Sequence, residues 1–144
     1  MDALSNNIHG FANTATGQAA LISNISGDNN TAIGNNVMLY NTNGSGNTGV
    51  GDSALQNNTA NDNTAIGVRT LQHNQDGFAN TGSGVDALAS NTGGNFNTAS
   101  GFEALAGNSN GNYNTATGAL AGGSGNGSYN TASGYQALSS NRLL

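Results

Sequence analysis

A five-residue phrase, Asn-Thr-small-x-Gly, opens at Asn13, Asn30, Asn47, Asn63, Asn80, Asn97, Asn114 and Asn130. The steps between copies are 17, 17, 16, 17, 17, 17 and 16 residues. So regular a return marks a solenoid, in which each repeat buries its apolar face only against its neighbours. The full repeat reads N-T-A-x-G-x-x-A-L-x-x-N-x-x-G-x-x, and its places are counted here from the opening Asn. Asp2 to Gly10 fit the seventh to fifteenth places, and Tyr135 to Asn141 the sixth to twelfth. The chain therefore reads as one repeat domain over 1–144: a partial coil 1–12, full coils 13–129 and a partial terminal coil 130–144. Arg142-Leu143-Leu144 replace the Gly-bearing loop and read as a cap or the plug of a joint.

One residue type at one phase makes a column in a stacked coil. The ninth place carries Leu4, Leu21, Leu55, Leu71, Leu88, Leu105 and Leu138, with Met38 in the second full copy. This predicts an interior leucine ladder, each rung contributing roughly 1.5–3 kcal/mol on burial. The eighth place is mostly Ala and the third always Ala or Gly, as at Ala15 and Gly49, which predicts close packing there. The twelfth-place Asn recurs from Asn7 to Asn141, and stacked Asn side chains can hydrogen-bond along a column. The fifth place is always Gly and the fifteenth usually so, which marks corners.

Each repeat thus reads as two short strands, over the first five places and the seventh to eleventh, joined by two corners. Helix is disfavoured because Asn, Gly, Ser and Thr are poor helix formers. The expected fold is all-β, a parallel β-solenoid (β-roll) of about eight to nine coils and roughly 40 Å long at about 4.8 Å per coil. The seventh full copy is one residue short and brings its leucine, Leu120, forward of the usual phase, which predicts a local bulge.

Composition excludes several classes. Charged residues make up 6%, and Cys, Pro and Trp are absent. Arg69 and Arg142 are the only basic residues against a formal charge of −5, so no cationic groove for nucleic acid is expected. No apolar run approaches the roughly 20 residues of a membrane helix, so no membrane insertion is expected. Met1-Asp2-Ala3-Leu4 lacks the basic and apolar regions of a signal peptide.

Period two puts the second and fourth places on one strand face. The fourth-place series runs Thr16, Ile33, Val50, Ile66, Ser83, Ser100, Thr117 and Ser133. Three successive β-branched apolar residues would make a wet strip, and a thin coil of Leu and Ala is a meagre core. Both features favour several chains packed about a shared axis, with a trimer the preferred count. Aromatics collect at one corner: Phe96, Tyr113 and Tyr129 each precede an opening Asn, and Phe11 and Phe78 lie one residue earlier. They read as a packing ladder, with a sugar-stacking strip as the functional alternative.

Asn63-Thr64-Ala65-Ile66-Gly67 and Asn97-Thr98-Ala99-Ser100-Gly101-Phe102-Glu103-Ala104-Leu105 resemble the Asn-Thr-Ala-x-Gly-x-x-Ala-Leu repeats of phage tail-fibre proteins. They are also similar to head repeats of trimeric autotransporter adhesins, which form parallel β-rolls. The resemblance covers almost the whole chain. It implies a non-enzymatic homotrimeric fibre, spike or decoration segment, located on a virion or otherwise on a cell surface. Its implied partners are copies of itself, other virion or fibre proteins and host-surface glycans. The C-terminal chaperone domain of such fibres is missing, as are the stalk and anchor of an autotransporter, so a small virion component fits best.

No cofactor, metal or catalytic site is expected. Asp86 and Glu103 share the seventh place in successive coils and read as solvated corner charges, with a cation between coils as the alternative. His9 and His73 fall at different phases, and no Ser has a plausible His and Asp set. The rival to a fibre is an ice-binding solenoid, whose face would be Thr14, Thr16, Thr31, Ile33, Thr48, Val50, Thr64, Ile66 and their C-terminal equivalents. A fibre would instead bury Ile33, Val50 and Ile66 between chains. A third reading is a self-assembling extracellular filament.

Overall fold

The computed structural model describes residues 2–123 and 125–140. Each opening phrase supplies one three-residue strand: β1 (Thr14–Thr16), β2 (Thr31–Ile33), β3 (Thr48–Val50), β4 (Thr64–Ile66), β5 (Thr81–Ser83), β6 (Thr98–Ser100), β7 (Thr115–Thr117) and β8 (Thr131–Ser133). They form one parallel sheet in the order β1 to β8, each strand pairing only with its sequence neighbours. Thr14 lies opposite Thr31, and the same register holds to Thr117 opposite Ser133. The architecture is a parallel β-solenoid with no helix among the described residues. The step from β3 to β4 is a residue short, yet Thr48 still faces Thr64.

The second strand expected at the seventh to eleventh places does not form. That arm is a run of turns in which the seventh and ninth residues adopt left-handed backbone, as at Arg69 (φ 55°) and Leu71 (φ 52°). The two residues bond in opposite directions. Arg69 N donates to Asp52 O of the preceding coil at 2.9 Å, and Leu71 N to Ala87 O of the following coil at 3.0 Å. The arm is thus laddered to both neighbours without extended backbone. The bulge expected at Leu120 is also absent. Leu120 N bonds Phe102 O at 2.8 Å, as Glu103 N bonds Val85 O at 2.9 Å, so the backbone stays in phase. Only the side chain has moved, leaving Gly122 at the ninth place. A cavity of about 30 Å³ sits there against Leu105, Ala132 and Leu138, and Leu138 is 43% exposed.

The remaining leucine column is dry: Leu21, Met38, Leu55, Leu71 and Leu88 are fully buried and Leu105 nearly so, while Leu4 packs partly buried at the first coil. Beside it stand the eighth-place residues and the third-place residues of the next coil. Their sizes are matched. Where the eighth place is β-branched, at Val37 and Thr70, the following third place is Gly49 and Gly82; elsewhere both are Ala, as at Ala54 and Ala65. A Cβ on Gly49 would lie 2.6 Å from Val37 Cγ1, and one on Gly82 2.5 Å from Thr70 Cγ2. Thr70 tolerates burial because its hydroxyl donates to Gly84 O at 2.5 Å. The fifth-place glycines combine positive φ with close stacking. Gly51 has φ 124°, and a Cβ there would lie 2.6 Å from Gly67 O.

Two buried asparagine ladders run the length of the stack. At the first place, Asn97 N and Nδ2 both donate to Asn80 Oδ1, at 2.9 and 3.1 Å, and Asn97 Nδ2 also donates to Gly111 O at 2.8 Å. Asn114 N then donates to Asn97 Oδ1 at 2.9 Å. At the twelfth place Asn91 Nδ2 donates to Asn74 Oδ1 at 2.6 Å and to Gly94 O at 2.9 Å. The short coils break only this second ladder. Asn58 Nδ2 turns to Ala60 O, and Gly125 replaces the asparagine that would follow Asn108. Asn41 Oδ1 and Asn108 Oδ1 are accordingly buried without a partner. Asn141 and Arg142-Leu143-Leu144 lie outside the described residues.

Two stability outcomes follow from this packing. Gly49→Ala should cost about 1–3 kcal/mol by overpacking. The double variant Val37→Ala/Gly49→Ala recreates the Ala–Ala junction and should lie within about 1 kcal/mol of the parent. Denaturant melts of the four proteins measure this coupling, and strictly additive losses would refute it. Asn97→Ala deletes two donated bonds and leaves Asn114 N–H without its acceptor, so it should cost about 2–4 kcal/mol. The exposed Asn110→Ala should change the same melt by less than about 0.5 kcal/mol.

Candidate functional surface

The sheet turns its third-place residues inward and its second and fourth places outward. Ala32, Ala65, Ala99 and Ala116 are buried, whereas Thr14, Thr16, Thr81, Thr98, Thr115 and Thr131 are exposed. Thr31, Thr48, Thr64 and Val50 are partly exposed, and Ile33 and Ile66 are 43% and 49% exposed. The result is two parallel columns, with rungs about 4.8 Å apart along the rod and columns about 7 Å apart across it. The columns are not uniform. Beyond β4 the fourth place becomes Ser83, Ser100, Thr117 and Ser133, so an aliphatic stretch gives way to a hydroxylated one.

The corner aromatics stack on one another. Phe78 meets Phe96 edge-on with centroids 4.9 Å apart, Phe96 and Tyr113 stack at 4.9 Å, and Tyr113 and Tyr129 stack at 5.1 Å. Their spacing is the coil rise, and left-handed backbone at Phe96, Tyr113 and Tyr129 aims them along one line. Nearly parallel rings cover each other's faces, so a pyranose ring meets mostly ring edges along this strip. The arrangement favours the packing ladder over the sugar platform. Phe11, 74% exposed, stacks on no ring among the described residues.

The carboxylates are placed differently from the cation alternative. Asp86 accepts two bonds from Arg69, from Nε at 2.7 Å and Nη2 at 2.6 Å, across one coil step. Those hydrogen bonds, and then the charge of Asp86, raise the Arg69 pKa above its ordinary value. Asp86 is thus engaged by a cation of the chain itself. His73 Nδ1 lies 3.2 Å from Asn57 Nδ2, and His9 stands apart from it in the first coil. Among the described residues no group of three His, Asp or Glu is arranged to hold a metal ion.

A third polar ladder escaped the sequence reading. Phe78 N is bonded by Asn95 Oδ1 at 2.9 Å, Asn95 N by Asn112 Oδ1 at 2.8 Å and Asn112 N by Ser128 Oγ at 2.9 Å. The same pattern joins Phe11 N to Asp28 Oδ1 at 2.7 Å and Asp28 N to Ser45 Oγ at 3.0 Å. Its signal was the recurrence of short acceptor side chains at the sixteenth place. This ladder holds the corner that presents the aromatic stack.

Tyr113 sits between two rings, so Tyr113→Ser should destabilise the fold by about 1–2 kcal/mol. Tyr135 stacks on no ring among the described residues, and Tyr135→Ser should cost less than about 0.5 kcal/mol in the same thermal melts. Equal losses would remove the ladder reading. Comparison with protein-family models, characterised proteins and solved structures found no match to this chain.

Proposed function

We propose that the chain is a non-catalytic structural rod, a segment of a fibre, spike or decoration on a virion or cell surface, which assembles as a homotrimer and displays or mediates attachment. The resemblance of its repeats to those of phage tail fibres supports this reading. The observation that carries it is the run Ile33, Val50, Ile66, which stands in register on three adjacent strands and points away from the core. A lone rod would leave that strip wet, whereas a shared axis would dry it at about 25 cal/mol per Å² of apolar surface. Copies of the chain, other fibre proteins and surface glycans are the partners of such a segment.

The exposed threonine column favours a second reading. Second-place Thr hydroxyls and methyls repeat in one column on all eight strands, an arrangement that suits ordered water and hence an ice-binding solenoid. Light scattering of the purified chain, with a freezing-hysteresis assay on the same sample, separates the two. The fibre reading expects an oligomer and no hysteresis. A clean 14.2 kDa monomer that delays freezing, and loses this on Thr98→Tyr, would establish the second reading in its place.

A further inference from the structure

Outward apolar side chains follow an oblique path. In β2 to β4 they occupy the fourth place, as Ile33, Val50 and Ile66, while the sixth place of the first three full coils is polar, as Gln18, Asn35 and Asp52. From the fourth coil onward the sixth place becomes Val68, Val85 and Phe102, while from the fifth onward the fourth place is hydroxylated. One coil, with Ile66 and Val68, is apolar at both places. Ala119 and Tyr135 continue the sixth-place series. No coil from the second to the eighth lacks its member. These side chains are exposed or half-buried, Phe102 at 49%, so they are not parts of the core. The stripe therefore starts on the sheet face and passes over the glycine corner onto the adjoining edge. Asp52, the only charge at the sixth place among the described residues, accepts from Asn35 Nδ2 at 2.8 Å and Ser53 Oγ at 3.0 Å.

Resting on the fibre reading, we propose that this stripe is the seam along which copies of the chain pack, and that its drift makes the rods wrap around one another. Seven rungs, each about 4.8 Å thick, span about 34 Å; with a width of about 12 Å, each stripe covers roughly 400 Å². Two stripes face to face bury about 800 Å² in total, and three about one axis bury roughly 1,200 Å² over the whole assembly, the scale of a small interface. A drift of two residues, about 7 Å, over that length inclines each rod by on the order of 10° to the common axis. The logic is that of a coiled coil, where an apolar seam that drifts around each member imposes a supercoil.

The test is light scattering of the full-length chain carrying Val85→Asn and Phe102→Gln together. Gln18 and Asn35 already occupy that place in other coils, so the coil accepts both side-chain types. A control, Tyr40→Asn, removes an exposed aromatic off the stripe, at a place where Asn57 stands one coil later. Circular dichroism melts establish that each protein is folded. The parent and Tyr40→Asn should scatter at three times 14.2 kDa, and the folded double variant should fall to a monomer. An oligomeric parent whose double variant stays oligomeric would overturn the seam and leave the fibre reading standing. Equal dissociation of Tyr40→Asn would likewise overturn it. A monomeric parent removes both.

Discussion

A buried carboxamide has to find partners, and here most find one in an adjacent coil; the exceptions, Asn41 Oδ1 and Asn108 Oδ1, face the two short coils. This requirement governs the stack. A coil of 17 residues encloses too little apolar volume to define its own register, and leucine burial is non-directional. The asparagine bonds are directional. Leaving one buried polar group unsatisfied costs about 1–3 kcal/mol, comparable to the gain from a buried leucine. The two short coils show which ladder dominates. Both break the twelfth-place ladder, yet Asn63 N still reaches Asn47 Oδ1 at 2.9 Å, and Asn130 N reaches Asn114 Oδ1 at 3.0 Å. The strands stay in register because the first-place ladder, immediately before each strand, is the one that is kept.

The leucine column depends on a less favourable element. Left-handed backbone costs a non-glycine residue about 1–2 kcal/mol, and most coils adopt it at the seventh, ninth and last places. The cost is tolerated because it redirects N–H groups along the rod, so that Leu71 and Arg69 bond to coils on opposite sides. An extended arm would have ladder bonds too, but a wider turn and a larger interior than Leu and Ala can fill. Left-handed turns draw the arm in against the sheet, where Val37 and Thr70 are wide enough to require glycine opposite. Core and backbone economy are therefore one problem, solved jointly by Leu, Ala and Gly at fixed places.

This explains what could be read from residues alone. The repeat period, the parallel stack, the inward Leu, Ala and Asn columns and the outward Thr column follow from identities recurring at one phase. The second arm did not, because leucine, arginine and glutamate have no preference for left-handed backbone, and the pattern Ala-Leu between polar residues looks like a strand. Leu120 misled for a related reason: a displaced residue type resembles a displaced backbone, and only the bonds to Phe102 and Ala137 distinguish them. The Val37–Gly49 and Thr70–Gly82 pairings were visible in the letters, but their meaning needed the knowledge that the third place packs on the preceding eighth. The face itself was legible, while what covers it was not, since exposure of Ile33 and Ile66 is a property of one chain.

Because the inward columns alone specify the coil, the outward columns are free to differ from one coil to the next, and that is where this chain departs from uniformity. The second place is held constant as Thr, the fourth turns from apolar to polar midway while the sixth turns from polar to apolar, and the last place gathers rings only in the C-terminal half. A rod selected only for stiffness would have no reason to move its apolar residues from one column to another while keeping one in nearly every coil. A surface selected for a flat lattice would keep both columns alike. A stripe that crosses columns without interruption is instead what a neighbouring rod inclined to this one would contact, so the variation along the chain bears more directly on its role than the repetition does.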